Sequence, residues 1–307
     1  MRGMVVKNTG SWYQVITDEG EQVECKIKGN LRLKDIRSTN PIAVGDRVEF
    51  VLNADGIGMI AGILDRRNYL IRKSSNLSRQ AHILAANLDL ALLVATINYP
   101  ETSTTFIDRF IASAEAYSIP AALVINKTDL YDDNELAYAR ALQELYEHIG
   151  YPVYLISALR PESITQLEDM LKGKTTLISG NSGVGKSTLI NALLPDSGAR
   201  TGEISSYHKK GMHTTTFSEM FALTKGGWLI DTPGIKGFGT IDMEADEISH
   251  YFKEIFAISN DCRFTNCQHI KEPGCAVRRA VDEHRISMSR YQSYLSILSD
   301  FKNGKYR

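Results

Sequence analysis

Three short stretches of the chain carry residue types whose spacing suits phosphate, base and metal chemistry. The first is Gly180-Asn181-Ser182-Gly183-Val184-Gly185-Lys186-Ser187, which matches G-x-x-x-x-G-K-[ST]. Glycines let a backbone curl round phosphate oxygens, and a following helix adds N–H donors and a positive dipole end. Lys186 would neutralise β/γ oxygens, and the Ser187 hydroxyl would ligate Mg2+, with Thr188 next along the helix. Downstream, Asp231-Thr-Pro-Gly234 ends a short apolar strand. An acidic residue there can hold Mg2+ through water, and the Gly234 N–H can sense a γ-phosphate. Between them lies Gly211-Met-His213-Thr214-Thr215-Thr216, from which Thr215 is the candidate to complete the Mg2+ shell.

The second stretch is Asn126-Lys127-Thr128-Asp129, placed after the apolar Ala121–Ile125. The Asp129 carboxylate accepts two N–H donors, which guanine offers at N1 and its 2-amino group and adenine does not. Against adenine the carboxylate would stay unpaired, which costs several kcal/mol. Asn126 can bridge base and phosphate loop, and the Lys127 stem can cover the purine. Ser157-Ala158, after another short strand, offers an N–H to guanine O6.

The third is Cys262-x4-Cys267-x-His269-x5-Cys275, three thiols and an imidazole. Cys3His is a structural zinc set with no open coordination position. Its spacing differs from that of common two-plus-two fingers, so three buried free thiols beside a surface histidine stay an alternative. His250 and His284 are the possible replacement ligands.

These residues need a scaffold. The chain has 307 residues, 43% of them hydrophobic and 23% charged, as in ordinary soluble folded proteins. No apolar run reaches the roughly 18 residues of a membrane helix, and the first residues lack a secretory pattern. A reduced, cytoplasmic setting without membrane contact is expected, and a monomer suits it. Five short runs between 4 and 63, each bounded by turn signals such as Asp18-Glu-Gly20 and Ala54-Asp-Gly56, predict an all-β oligonucleotide-binding-type (OB) barrel. Arg32, Lys34 and Arg37 in its Leu31–Asn40 connection could meet phosphates, or only solubilise a loop. From residue 87, apolar strands alternate with amphipathic helices. That predicts a doubly wound α/β sheet with ligands at the carboxyl ends of its strands. Ser163-Ile-Thr-Gln166 matches a capping box opening a helix to 171. The last 60 residues predict helices over 245–256 and 278–301 flanking the cysteine loop. The expected domains are 1–71, 72–243 and 244–307.

Charge sharpens that division. The formal net charge of -1 at first argues against a nucleic-acid partner. By region, however, residues 1–79 carry +4, 80–249 carry -9 and 250–307 carry +4. Two basic ends flank an acidic centre.

The order of the stretches is also informative. Small GTPases usually begin with the phosphate loop, whereas here the base stretch Asn126–Asp129 and Ser157-Ala158 precede Gly180–Ser187, Thr215 and Asp231–Gly234. This order is that of a circularly permuted P-loop GTPase. With the barrel, the His213-Thr-Thr-Thr216 segment and the Cys262/Cys267/His269/Cys275 set, the whole chain resembles the bacterial ribosome small-subunit-dependent GTPase family. The resemblance implies a late-acting assembly factor that binds the small ribosomal subunit near its decoding region. It implies GTP hydrolysis to GDP and phosphate, stimulated by the subunit and followed by release, with barrel and zinc domain touching rRNA. A permuted GTPase serving another RNA particle, such as the large subunit, and a slow nucleotide-sensing scaffold are the alternatives. Ile235 stands where many GTPases carry a water-orienting Gln, so another group must position water. His213 is the candidate, with rRNA contact or simple packing as its other possible roles.

Overall fold

The structure is a computed structural model, and it describes residues 1–28, 41–73, 81–194, 219–231 and 244–302. The chain divides into two compact units. One holds Met1–Leu92, Ala158–Ser179 and Gly185–Ile235, and the other Leu93–Ser157, Gly180–Val184 and Lys236–Arg307. Among the described residues, no helix is long and apolar enough to cross a membrane.

In the first unit, β1 (Arg2–Asn8), β2 (Tyr13–Thr17), β3 (Gln22–Ile27), β4 (Arg47–Leu52) and β5 (Gly58–Ile63) follow the expected strands closely. β1 pairs β2, β2 pairs β3, β3 runs parallel to β5, β5 pairs β4, and β4 returns to β1. The ring closes, which removes the open edge strands a flat sheet would leave. Alternate residues point inward. Val5, Tyr13, Val15, Cys25, Ile42, Val48, Phe50 and Ile60 fill the interior. This is the OB-type barrel.

β6 (Tyr69–Lys73) and β7 (Ala81–Ala86) form an antiparallel hairpin that the sequence reading missed. Its strands lack strict alternation, and seven residues rather than a two-residue turn separate them. The hairpin is tied to the barrel: Ala86 N–H donates to Val44 O at 2.9 Å, and Asn87 Nδ2 donates to Gly45 O at 2.9 Å. Beside this junction the Arg66 guanidinium forms a two-pronged pair with the fully buried Asp46 carboxylate, both contacts 2.6 Å.

The same unit holds β11 (Thr175–Gly180), β12 (Glu219–Ala222) and β13 (Trp228–Asp231). β11 runs parallel to β13, β13 pairs β12, and β12 pairs β1 of the barrel through Lys7 and Glu219. The helix α3 (Pro161–Leu171) starts two residues before the expected capping box at Ser163. Pro161 occupies its first turn, and Arg160 makes no side-chain cap bond. Proline's fixed φ is already helical, so it sets the start without a cap.

In the second unit, β8 (Leu90–Ala95, which enters from the first), β9 (Ala121–Ile125) and β10 (Val153–Leu155) lie side by side, with β9 parallel to β10. The helices α1 (Thr104–Ala116) and α2 (Asp133–Ile149) alternate with them. α2 carries a capping box, at Asp132 and Glu135. The expected helix over 245–256 is broken. A 3-10 turn at Ile248–Tyr251 meets α5 (Lys253–Ser259) at Phe252, which is extended and fully buried. The expected helix over 278–301 is likewise two, α6 (Ala276–Asp282) and α7 (Met288–Lys302), separated where His284 adopts φ 57. Ile248, Phe252, Ile255, Val277, Ala280, Tyr294 and Ile297 close one core over Ala112 of α1.

Candidate functional site

β11 delivers the chain into the phosphate loop, and the helix α4 (Lys186–Leu193) leaves it. Gly180 cannot carry a side chain, because a Cβ there would sit 2.5 Å from Val94 O. Gly185 is the N-cap of α4 at φ 87, a left-handed conformation that favours glycine, and it has no side chain with which to cap the helix. The first N–H groups of α4 are of the kind that donate to a bound anion. Asn181 is half-buried, and Ser182, Ser187 and Thr188 are exposed.

Lys186 Nζ pairs with Asp231 Oδ1, both side chains mostly buried at 14% and 12% exposure. Asp231 ends β13 opposite Ile178 of β11, so sheet register delivers the carboxylate to the loop. Thr215, His213, Gly234 and Ile235 lie outside the described residues, as do Arg32, Lys34 and Arg37.

The base stretch leaves the end of β9. Asn126 is buried and its Nδ2 donates to Val184 O of the phosphate loop at 2.9 Å. Lys127 takes φ 67, and its Nζ donates to Tyr99 O at 2.6 Å. Thr128 N–H donates to Ile156 O at 3.0 Å, which binds the stretch to the segment ending in the buried Ser157 and Ala158. Asp129 is exposed, and among the described residues none takes its carboxylate. One organiser was not foreseen. The buried Tyr131 hydroxyl accepts from Ile97 N–H at 2.8 Å and donates to Asn126 O, and burial pushes its pKa up to about 12. No motif spacing marks it, since one partner, Ile97, lies past the end of another strand, β8.

The cysteine loop joins α5 to α6. The ligand atoms of Cys262, Cys267, His269 and Cys275 all lie within 4.8 Å of one another. His269 Nδ1 is 3.6 Å from Cys262 Sγ and 3.5 Å from Cys275 Sγ, and those two sulfurs are 3.9 Å apart. An ion about 2.3 Å from sulfur and about 2.0 Å from nitrogen in a tetrahedron sets edges of roughly 3.8 and 3.5 Å. The donor set therefore fits a four-coordinate metal ion. His250 packs instead against Phe256, ring centroids 4.8 Å apart and tilted by 60°, and the exposed His284 follows α6, so neither joins the cluster.

Surrounding groups hold this loop rigid. Glu272 accepts from the N–H groups of Gln268, Ile270 and Lys271 at 2.7–2.9 Å. Burial raises its pKa, but these donors outweigh burial and hold the carboxyl below its usual range. The Tyr291 hydroxyl donates to His269 O at 2.6 Å and the Tyr294 hydroxyl to Gln268 O at 2.9 Å. Without a cation, burial pushes the Cys267 thiol up to about 12, raises Cys275 likewise and lowers the His269 imidazole. A divalent cation reverses that preference by stabilising thiolates.

The chain is similar to known proteins along its whole length. The family model "RsgA GTPase" matches residues 63–241, and "RsgA N-terminal domain" matches residues 2–60. A Bacteroides fragilis protein described as "Small ribosomal subunit biogenesis GTPase RsgA" is 64% identical over 307 residues, covering 100% of this chain and 99% of the relative. A Porphyromonas gingivalis relative of the same description is 55% identical over 312 residues, with 100% and 99% covered. The crystal structure of YjeQ from Thermotoga maritima superposes with a TM-score of 0.80 at 37% identity, covering 97% of each chain. That of YloQ, described as a circularly permuted GTPase, gives 0.79 at 31% identity and covers 100% of this chain and 96% of its own. The two family models together span most of the chain, relatives match it along its full length, and the chain belongs to the RsgA GTPase family.

Proposed function

We propose that the chain binds the small ribosomal subunit as a late assembly factor, hydrolyses GTP to GDP and phosphate when the subunit stimulates it, and then leaves. The observation that carries the nucleotide half is the 2.9 Å hydrogen bond from Asn126 to Val184 O, which locks the guanine-selecting stretch to the phosphate loop. The relatives' description as small ribosomal subunit biogenesis GTPases supports the other half.

In this reading the backbone of Gly180, Asn181, Ser182, Gly183, Val184 and Gly185 cradles the phosphates. Lys186 exchanges its Asp231 partner for phosphate oxygens, which frees the carboxylate to join Ser187, Thr215 and Thr188 around the nucleotide. Mg2+, when bound there, would neutralise charge developing on the phosphoryl oxygens. Asn126, Lys127, Asp129 and the Ser157-Ala158 backbone select guanine, and Gly234 senses the γ-phosphate. The Cys262/Cys267/His269/Cys275 set would hold one structural zinc ion, the metal whose four-ligand thiolate–imidazole sites are closed in this way. The basic barrel and C-terminal region would meet rRNA, in the cytoplasm, as a monomer.

Nucleotide competition tests the base assignment. GTP and GDP should displace a fluorescent GDP analogue, with ATP about 10⁴-fold weaker, as for sites built to pair a specific hydrogen-bonding group. Equal displacement by ATP removes Asp129 from its role.

Ile235 cannot orient water, so turnover of the free protein should be slow. His213→Ala is expected to keep GTP affinity and to lower subunit-stimulated kcat about 10²–10⁴-fold, the range of positioned proton-transfer groups. Unchanged stimulated kcat would show that His213 contacts RNA or packs.

A further inference from the structure

Arg290 of α7 is charged and 1% exposed. Its Nη1 donates to Asp108 of α1 at 2.6 Å, and its Nε and Nη2 grip Glu254 of α5 at 2.7 and 3.2 Å. Asp108 is fully buried and also accepts from the Tyr146 hydroxyl of α2 at 2.7 Å. A second pair, Arg109 with Asp300 at 2.6 Å, joins the same two helices. Buried ion pairs are weak sources of net stability, because desolvation offsets attraction. What they do well is fix one geometry.

The geometry fixed is that of α1 and the turn leading into it. The turn is closed on itself, with Thr102 N–H donating to Thr96 O at 2.9 Å and Thr96 N–H to Thr102 Oγ1 at 3.1 Å. Its tip makes three contacts, two with residues of the nucleotide site and one with Glu135 of α2. Tyr99 O holds the Lys127 ammonium, and Asn98 Nδ2 donates to Glu135 at 2.9 Å. Pro100 Cδ lies 3.1 Å from where a Gly183 Cβ would stand. In the same first turns of α7, Tyr291 and Tyr294 brace the cysteine loop. One helix therefore touches both the metal-ligand loop and the strut behind the base stretch.

We propose that Arg290 is a positioning residue for guanine nucleotide: through Asp108 it sets α1 and the Thr96–Thr102 turn, and so the placement of Lys127 and Gly183. The proposal rests on the GTPase reading. It makes the C-terminal region part of the nucleotide site's rigidity, so that a partner which shifts α7 changes nucleotide residence time.

The test is the dissociation rate of fluorescent GDP from the full-length, metal-loaded protein. Arg290→Gln should accelerate dissociation about tenfold, within the usual range of coupling between sites, while metal content and helical circular dichroism hold. Pro100→Gly should also accelerate it. Because both act through one turn, the double variant should dissociate no faster than the faster single one. An Arg290→Gln protein that melts earlier yet releases GDP at the wild-type rate overturns the proposal, as do effects that multiply in the double variant. If Arg290→Gln does not fold, Asp300→Asn loosens the same helices more gently. Acceleration then supports the proposal and an unchanged rate overturns it. Failure of the wild-type protein to bind GDP would instead overturn the GTPase reading itself.

Discussion

Lys186→Ala is expected to abolish GTP turnover, with kcat falling at least about 10²–10³-fold, the scale of losing one preorganised group aimed at developing charge. It should also lower stability in the absence of nucleotide. Lys186 and Asp231 neutralise each other while only 14% and 12% exposed, so removing the ammonium strands a mostly buried carboxylate. Such a loss costs about 1–3 kcal/mol, or several degrees of melting temperature in a chain of this size. Ser187→Ala separates the two effects. Ser187 is exposed, so its loss should stop turnover and leave nucleotide-free melting unchanged. Single-turnover kinetics and thermal denaturation check both variants. A Lys186→Ala protein that hydrolyses GTP normally removes the phosphate-loop assignment.

Stripping the metal should have the other large effect. Structural zinc sites contribute apparent binding free energies of about 10–16 kcal/mol near neutral pH. Chelation, or Cys275→Ser, should therefore release one equivalent of metal and melt the helices α5 to α7 at lower temperature. The pH dependence has opposite signs in the two forms. In the metal-loaded protein, protons compete for thiolates, so acid weakens the metal and the fold together. In the metal-free protein, burial raises the Cys267 thiol from 9.0 to about 12. The folded state then holds a proton that the unfolded chain has lost, and stability declines as pH rises through that window. Metal analysis with helical circular dichroism across pH reads both. Complete metal removal without a change in melting would show the four residues to be dispensable.

Much of this was legible in the residues because local chemistry and fold agree. Ala121–Ile125 is apolar throughout, follows Pro120 and ends at Asn126, and it forms β9 over the same residues. The Cys262–Cys275 spacing marked a metal-ligand loop whose atoms do converge. What was not legible depends on partners far along the chain. Asp108 and Arg290 are 182 residues apart, and a buried salt bridge leaves no periodic trace in either helix. Tyr131 organises Asn126 by reaching a backbone group 34 residues earlier. The C-terminal helices misled for a different reason. Their apolar spacing continues across Phe252 and Ile286, but both side chains are buried at breaks, where tertiary packing overrides helical period. The net charge of -1 misled until it was resolved by region.

GTP turnover measured with no ribosomal particle, with purified small subunits and with purified large subunits tests the central claim most directly. Slow turnover alone and strong stimulation by small subunits only is the expected result. Stimulation by large subunits alone, or turnover indifferent to both, contradicts a GTPase that works on the small subunit.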